Sequence, residues 1–252
     1  MKILVISDVH SCIEALEAVW ARESDADAII CAGDVVDWGW NPHEVICWLR
    51  EHNAITVMGN HDLIVKNVYN SGNFQELGKE EEYRFHNANR LTEEDAAWLN
   101  ALKETEIVTF GDTTYCIRHA YDVVESSSHV VDMIKSRSYI MGFEDMWREF
   151  VGKHECAEKR CIVLGHSHIC YTLKAGRDSM YINPGSMSYR LSGNSCLHGA
   201  DYIVINDGIP EMRHVDYSLR KVYQKIMSSG FRGDVMRQAL IYAGPEGDDW
   251  FE

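Results

Sequence analysis

Residues 1–12, MKILVISDVHSC, run a short apolar segment straight into an aspartate and, one residue further on, a histidine. The apolar part reads as a strand. Asp8 alone has an ordinary reading as a cap for the next helix. The signature recurs, however: GDVVD from Gly33 follows AIICA, GNHD from Gly59 follows AITVM, RHAYD from Arg118 follows TTYCI, and GHSH from Gly165 follows CIVL. Five strand ends that each deliver Asp, Asn or His to a loop predict one site at one edge of a sheet. These are also the residue types of metal ligands, because carboxylate, amide oxygen and imidazole hold divalent ions that keep positions open for water and substrate. Asp8 and His10 alternate along what reads as an extended segment, so both can turn to one ion. Asp34 and Asn60 each follow a glycine, which permits a tight loop.

Outward from these motifs, Ser11 to Arg22 and HEVICWLREH from His43 read as amphipathic helices, with Pro42 set to enter the first turn of the second. Strand, helix, strand, helix, strand over the first 58 residues implies parallel pairing through right-handed crossovers. Residues 63–104 then interrupt the alternation with polar sequence, read as a helical cap insertion. Within it, Thr92 and Asp95 are spaced as a capping box ahead of Ala96, Leu99 and Leu102. From Glu106 the pattern changes to short runs with hairpin-like spacing, IVTF, TTYCIRH, CIVLG, YTLKA, MYIN, DYIVIN and EMRHV, which predict a more antiparallel second half. Residues 122–158 read as mainly helical, and GDDWFE at the end is an acidic tail. The whole of 1–252 is expected to be one domain.

With 46% hydrophobic residues in 252, the chain can bury a full core. The apolar run after Lys2 is too short for a signal peptide or a membrane span, so a cytoplasmic protein with no membrane association is expected. The eight cysteines are scattered without a CxxC pair, and several fall in apolar runs. They read as buried reduced thiols rather than disulfides or a structural zinc site. A formal charge of −15 opposes binding of extended nucleic acid, but it leaves room for a small phosphorylated substrate, a nucleotide among them, where bound cations reverse the local field. Histidines 43, 52, 86, 129, 154, 198 and 214 lie outside the motifs and read as surface or helix residues.

The ordered run DVH, GDVVD, GNHD, H and GHSH resembles the calcineurin-like metallophosphoesterase superfamily, and the likeness extends from Met1 to about Asp216. The resemblance implies an α/β fold, a four-layer α/β/β/α sandwich of two mixed sheets with a helical cap. It also implies two divalent transition-metal ions, manganese first with iron or zinc as alternatives. One would be held by Asp8, His10, Asp34 and His168, the other by Asp34, Asn60, His119 and His166, with Asp34 bridging. His61 would be the catalytic histidine and Asp37 the carboxylate that orients it. GWNPHEVICWLR and FHNANRLTEEDAAWLNAL resemble segments of the bacterial and archaeal phosphodiesterase-like branch. INPGSMSYR resembles that branch's NPGS turn and makes Arg190 a candidate phosphate contact.

The implied function is hydrolysis of phosphate esters, phosphodiesters or nucleotides first, by a hydroxide bridging the two metals. Phosphoprotein phosphatases of the superfamily carry arginine where this chain has Trp38 and Met58, which counts against a phosphoprotein substrate; a phosphomonoesterase on the same site is the alternative. A reading of another class is a non-catalytic metal-binding interaction scaffold, as the retromer subunit that resembles these enzymes illustrates. Retention of every motif residue, His61 included, favours the enzyme. Trp38 and Trp40, flanking Gly39, read either as a stacking surface for a nucleobase or as anchors for their loop.

Overall fold

Apolar side chains alternate between the two faces of each central strand, and both faces are buried. The computed structural model describes residues 1–72, 82–120, 135–188 and 199–228. Among them the elements run β1 Lys2–Ile6, α1 Ile13–Glu23, β2 Ala28–Cys31, α2 Pro42–Glu51, β3 Ile55–Thr56, α3 Asn60–Ser71, α4 Glu82–Arg90, α5 Glu93–Ala101, β4 Thr105–Phe110 and β5 Thr113–Arg118. The remainder are α6 Ser138–Phe150, β6 Lys159–Val163, β7 Cys170–Lys174, β8 Ser179–Pro184, β9 Ala200–Asn206, β10 Ile209–Val215 and α7 Leu219–Ser228.

Two five-stranded sheets result, ordered β10-β9-β1-β2-β3 and β4-β5-β6-β8-β7. Ile3 and Val5 of β1, Ile30 of β2 and Ile203 and Ile205 of β9 meet Tyr115 and Ile117 of β5, Cys161 and Val163 of β6 and Ile182 of β8 in one buried cluster between the sheets. The intervening residues face outward. Leu4, Ile6, Cys31, Tyr202 and Val204 pack under α1 and α2 through Leu16, Val19, Val45, Ile46 and Leu49. On the far side Cys116, Ile162 and Tyr181 pack under Phe143, Met146 and Trp147 of α6. Helix, sheet, sheet, helix is thus the order of layers, as the resemblance implied. Strands covered on both sides explain why the sequence shows apolar runs and not polar alternation.

β1 pairs parallel with β2, and β2 with β3, as the opening alternation predicts. The second half is less antiparallel than its hairpin-like spacing suggests. β4 with β5 and β7 with β8 are antiparallel, but β5 with β6 and β6 with β8 are parallel. The return to parallel pairing follows from α6, which occupies the connection between β5 and β6 and carries the chain back across the sheet. β9 and β10 leave this sheet and extend the first one, β9 antiparallel to β1 and β10 antiparallel to β9. Residues 151–158, expected to be helical, form no helix. The capping box at α5 is present, with Asp95 N donating to Thr92 Oγ1 at 3.1 Å and Thr92 N to Asp95 Oδ2 at 2.8 Å. Arg190 and the acidic tail lie outside the described residues. No helix among the described residues is long and apolar enough to cross a membrane.

Candidate metal centre

β1, β2 and β3 run in one direction in the first sheet, and β5 and β6 run parallel in the second; the chain leaving each of these five strands carries one motif to a common edge. The site loops are not extensions of the strands. β1 stops at Ile6, and Asp8, His10 and Ser11 have φ of 54°, 47° and 56°. Asp34, Asp37, Trp38, His166 and His168 are likewise left-handed, at 53°, 76°, 64°, 65° and 56°. Such backbone costs on the order of 1–3 kcal/mol per residue and persists where neighbours impose it. Here the first two loops hold each other: Asp8 N donates to Gly33 O, His10 N to Asp34 O and Ser11 N to Val35 O, at 3.0, 3.0 and 2.8 Å. Asp8 therefore caps no helix, and α1 has Cys12 at its N-cap. Gly59 is required by proximity, since a Cβ there would come within 2.1 Å of Asp34 Oδ1.

The loops bring together two groups of side chains that could hold a metal ion. Asp8, His10 and His168 each offer a donor atom within 4.8 Å of the others, as do Asp34, His119 and His166. Asn60 joins the second group, its Oδ1 lying 3.1 Å from His119 Nε2 and 2.9 Å from His166 Nδ1. Asp34 Oδ2 sits 3.0 Å from His119 Nε2 and 3.8 Å from His10 Nε2, within reach of an imidazole from each group. His168 Nε2 lies 3.0 Å from Asp8 Oδ1, a buried oxygen without a hydrogen bond among the described residues. His119 donates from Nδ1 to Ala32 O at 2.7 Å, which fixes its ring and turns Nε2 to the site.

The charges are arranged for cations. Burial would raise the Asp34 carboxyl, but His119, His10 and His61 outweigh it and hold the group far below the usual carboxylate range. Burial pushes His10 down to about 3 against the pull of Asp34, which leaves a neutral imidazole able to act as a ligand. In His119 burial opposes the charged form but the Asp34 carboxylate overrides it, lifting the ring to about 10. Its extra proton stands where a cation shared with Asp34 would sit.

His61 lies beside these two groups. Its Nδ1 is 2.7 Å from Asp37 Oδ2 and 3.0 Å from Trp38 Nε1. One nitrogen cannot both give and accept, and the shorter, charged contact prevails: Nδ1 donates to Asp37, leaving Nε2 toward the site. Burial disfavours the imidazolium, yet the hydrogen bond to Asp37 with the charges of Asp34 and Asp37 keeps His61 above its ordinary value. Trp38 meets the His61 ring edge-on at 5.7 Å between centroids, and Trp40 stacks on His86 at 3.5 Å. One face of Trp40 is thereby committed to anchoring the loop.

Three supports escaped the sequence reading. Arg84 of α4 reaches into the site and bonds Asp37 Oδ2 at 3.2 Å, a contact made only because α4 folds back over the loop. Asn87, one turn on, accepts from Asp37 N and Ser11 Oγ and donates to Gly39 O, tying the same helix to both metal loops. Asp62, fully buried, accepts from Val35 N, Val36 N and Gly59 N at 2.8, 3.0 and 2.9 Å. Its position three residues past the α3 N-cap was a legible signal, since an acid there commonly closes a capping box. Replacing it with alanine leaves three buried amides without an acceptor, each costing roughly 1–3 kcal/mol. Asp62→Ala is expected to lower the unfolding free energy by about 3 kcal/mol in denaturant titration. The NPGS turn is also structural: Ser186 Oγ donates to Asp8 O, and Asn183 Nδ2 to Gly165 O.

An α/β/β/α sandwich with carboxylate, amide and imidazole groups gathered at its strand ends is the arrangement of a metal-dependent phosphoesterase. The chain belongs to the calcineurin-like phosphoesterase superfamily, whose domain model matches residues 1–199. It is 27% identical to the uncharacterized protein MJ0912 of Methanocaldococcus jannaschii, over 90% of this chain and 92% of that one. The fold is similar to that of a metallophosphoesterase from Sphaerobacter thermophilus, with a TM-score of 0.71 at 19% identity, covering 96% of this chain and 100% of that one. It is equally similar to the hypothetical protein PH1004 from Pyrococcus horikoshii OT3, with a TM-score of 0.71 at 13% identity and coverage of 98% and 99%. The family uses divalent metals, and the buried Asp8 oxygen, the neutral His10 and the oriented His119 fit that group.

Proposed function

We propose that the protein is a dinuclear metal-dependent phosphoesterase that hydrolyses phosphodiesters or nucleotides. The observation that carries this reading is the juxtaposition of the two ligand groups with His61, held by Asp37 at their margin. Asp8, His10, Asp34 and His168 would hold one ion, and Asp34, Asn60, His119 and His166 the other. Two divalent cations, manganese first with iron or zinc as alternatives, would supply an acidified water and neutralise the phosphate oxygens. The residues around them bind and orient. His61 carries a proton at Nε2 and gives it to the departing oxygen, while Asp37 holds the ring in the required tautomer. Arg84, through Asp37, is a positioning residue. Arg190 stands as a candidate phosphate contact on the resemblance alone.

Arg84 also favours a second reading on the same site. A guanidinium beside Asp37 suits the extra charge of a terminal phosphate, and thus a phosphomonoester. Turnover of bis(p-nitrophenyl) phosphate against p-nitrophenyl phosphate separates the two. Chelator-treated protein is expected to lose activity and to regain it with manganese, as measured together with elemental analysis. Full turnover by verified metal-free protein would overturn the dinuclear reading. Protein loaded with both ions and inert toward mono-esters, bis-esters and nucleotides would leave the interaction scaffold.

A further inference from the structure

A third group of metal-ligating side chains lies outside the strand-end site. His43 and Cys47 sit four residues apart on α2, so both leave the same face of the helix. Asp95 of α5 meets them there, and one donor atom from each of the three lies within 4.8 Å of the others. Asp95 is fully buried. Its Oδ2 already accepts from Thr92 N at 2.8 Å and Thr92 Oγ1 at 2.7 Å, and lies 2.7 Å from His43 Nδ1. Its Oδ1 is also buried, with no hydrogen-bond partner among the described residues. A helix cap needs only one carboxylate oxygen. Nothing in the capping box accounts for the second, and a buried carboxylate oxygen without a partner is a position that a cation can fill.

We propose that His43, Cys47 and Asp95 form a mononuclear site for zinc or a similar borderline divalent cation, with solvent in the fourth position. Imidazole, thiolate and carboxylate are zinc donors. A tetrahedral site with Zn–S near 2.3 Å and Zn–N near 2.0 Å separates those two ligand atoms by about 3.5 Å. Cys47 Sγ stands 3.6 Å from His43 Nε2 and 3.7 Å from His43 Nδ1, close to that edge in length, and a turn of the imidazole aims one nitrogen's lone pair at the shared position. The contact between His43 and Asp95 is shorter than such an edge, as expected where a shared proton occupies the cation's place. Binding moves that proton to the other ring nitrogen of the neutral imidazole and releases the Cys47 S–H proton to solvent as the metal–nitrogen and metal–sulfur bonds form. His43 is 43% exposed and provides the entry path. The bound cation joins α5 to α2, the helix that directly follows the loop bearing Asp34 and Asp37.

The cysteine makes the test independent of the strand-end centre, which contains no sulfur ligand. Cobalt(II) titration of the full chain should produce a near-ultraviolet sulfur-to-cobalt charge-transfer band that saturates at one equivalent of thiolate-bound metal. Cys47→Ser and His43→Ala should each abolish or sharply weaken the band, with circular dichroism verifying that both fold. Asp34→Asn, which damages the strand-end centre, should retain it. A wild-type protein without the band, or a band unchanged in Cys47→Ser, overturns the proposal. In the latter case the signal belongs to another thiol, such as the exposed Cys156. Loss of the band in Asp34→Asn would also overturn it, since the metal would then belong to the other centre.

Discussion

Asp34→Asn is expected to lose both ions of the proposed dinuclear centre together. Asp34 is 1% exposed, and its Oδ2 lies near His119 from one ligand group and His10 from the other. No other carboxylate in the site lies between imidazoles of both groups. The substitution removes the charge that holds His119 in place and puts an N–H₂ where one ligand oxygen stood. Changes that merely disturb the support of a metal ligand cost about 10–100-fold in affinity. Loss of a bridging ligand should exceed ~100-fold for each ion and lower turnover at least in proportion. Calorimetry and elemental analysis measure this directly. Two-site binding that survives Asp34→Asn would remove the bridging role.

His61→Ala should keep its metals and turn over slowly. The ring is 16% exposed beside the ligands and bonded to a fully buried Asp37, a placement suited to proton delivery. General acid catalysis typically contributes ~10²–10⁴-fold, and a nitrophenolate needs less of it than an alkoxide. The loss should therefore grow with leaving-group pKa. Measuring kcat/KM across esters of graded leaving-group pKa, with metal content checked in each preparation, decides the point. A uniform loss, or one explained by missing metal, would leave His61 as a phosphate contact or a support.

Legibility differed among these residues for physical reasons. Asp8, Asp34, Asn60, His119, His166 and His168 could be picked from the chain because each follows an apolar run at short range, the last two sharing one. The parallel pairing of β1, β2 and β3 was equally legible, since an intervening helix permits little else. The pairing of β6 with β8 was not, because β7 lies between them in sequence yet takes the sheet edge beyond β8, and closely spaced short strands look the same whether their neighbours are consecutive or not. Asp8 and His10 were read as an extended pair, whereas contacts with the Gly33–Val35 backbone drive them into left-handed conformations that local preference alone disfavours.

What the sequence determined by itself was the chemical types of the site and, through the resemblance its ordered motifs carry, the family and the layered α/β architecture, since motif residues and apolar runs are local patterns. What only tertiary structure decided was which distant groups meet. Arg84 reaches Asp37 across 47 positions, Asn87 reaches Gly39 across 48, and His43 meets Asp95 across 52. None of these six residues' partners is foreshadowed by spacing, because helix-on-helix packing of α2, α4 and α5 sets the contacts and the chain between them carries no record of it.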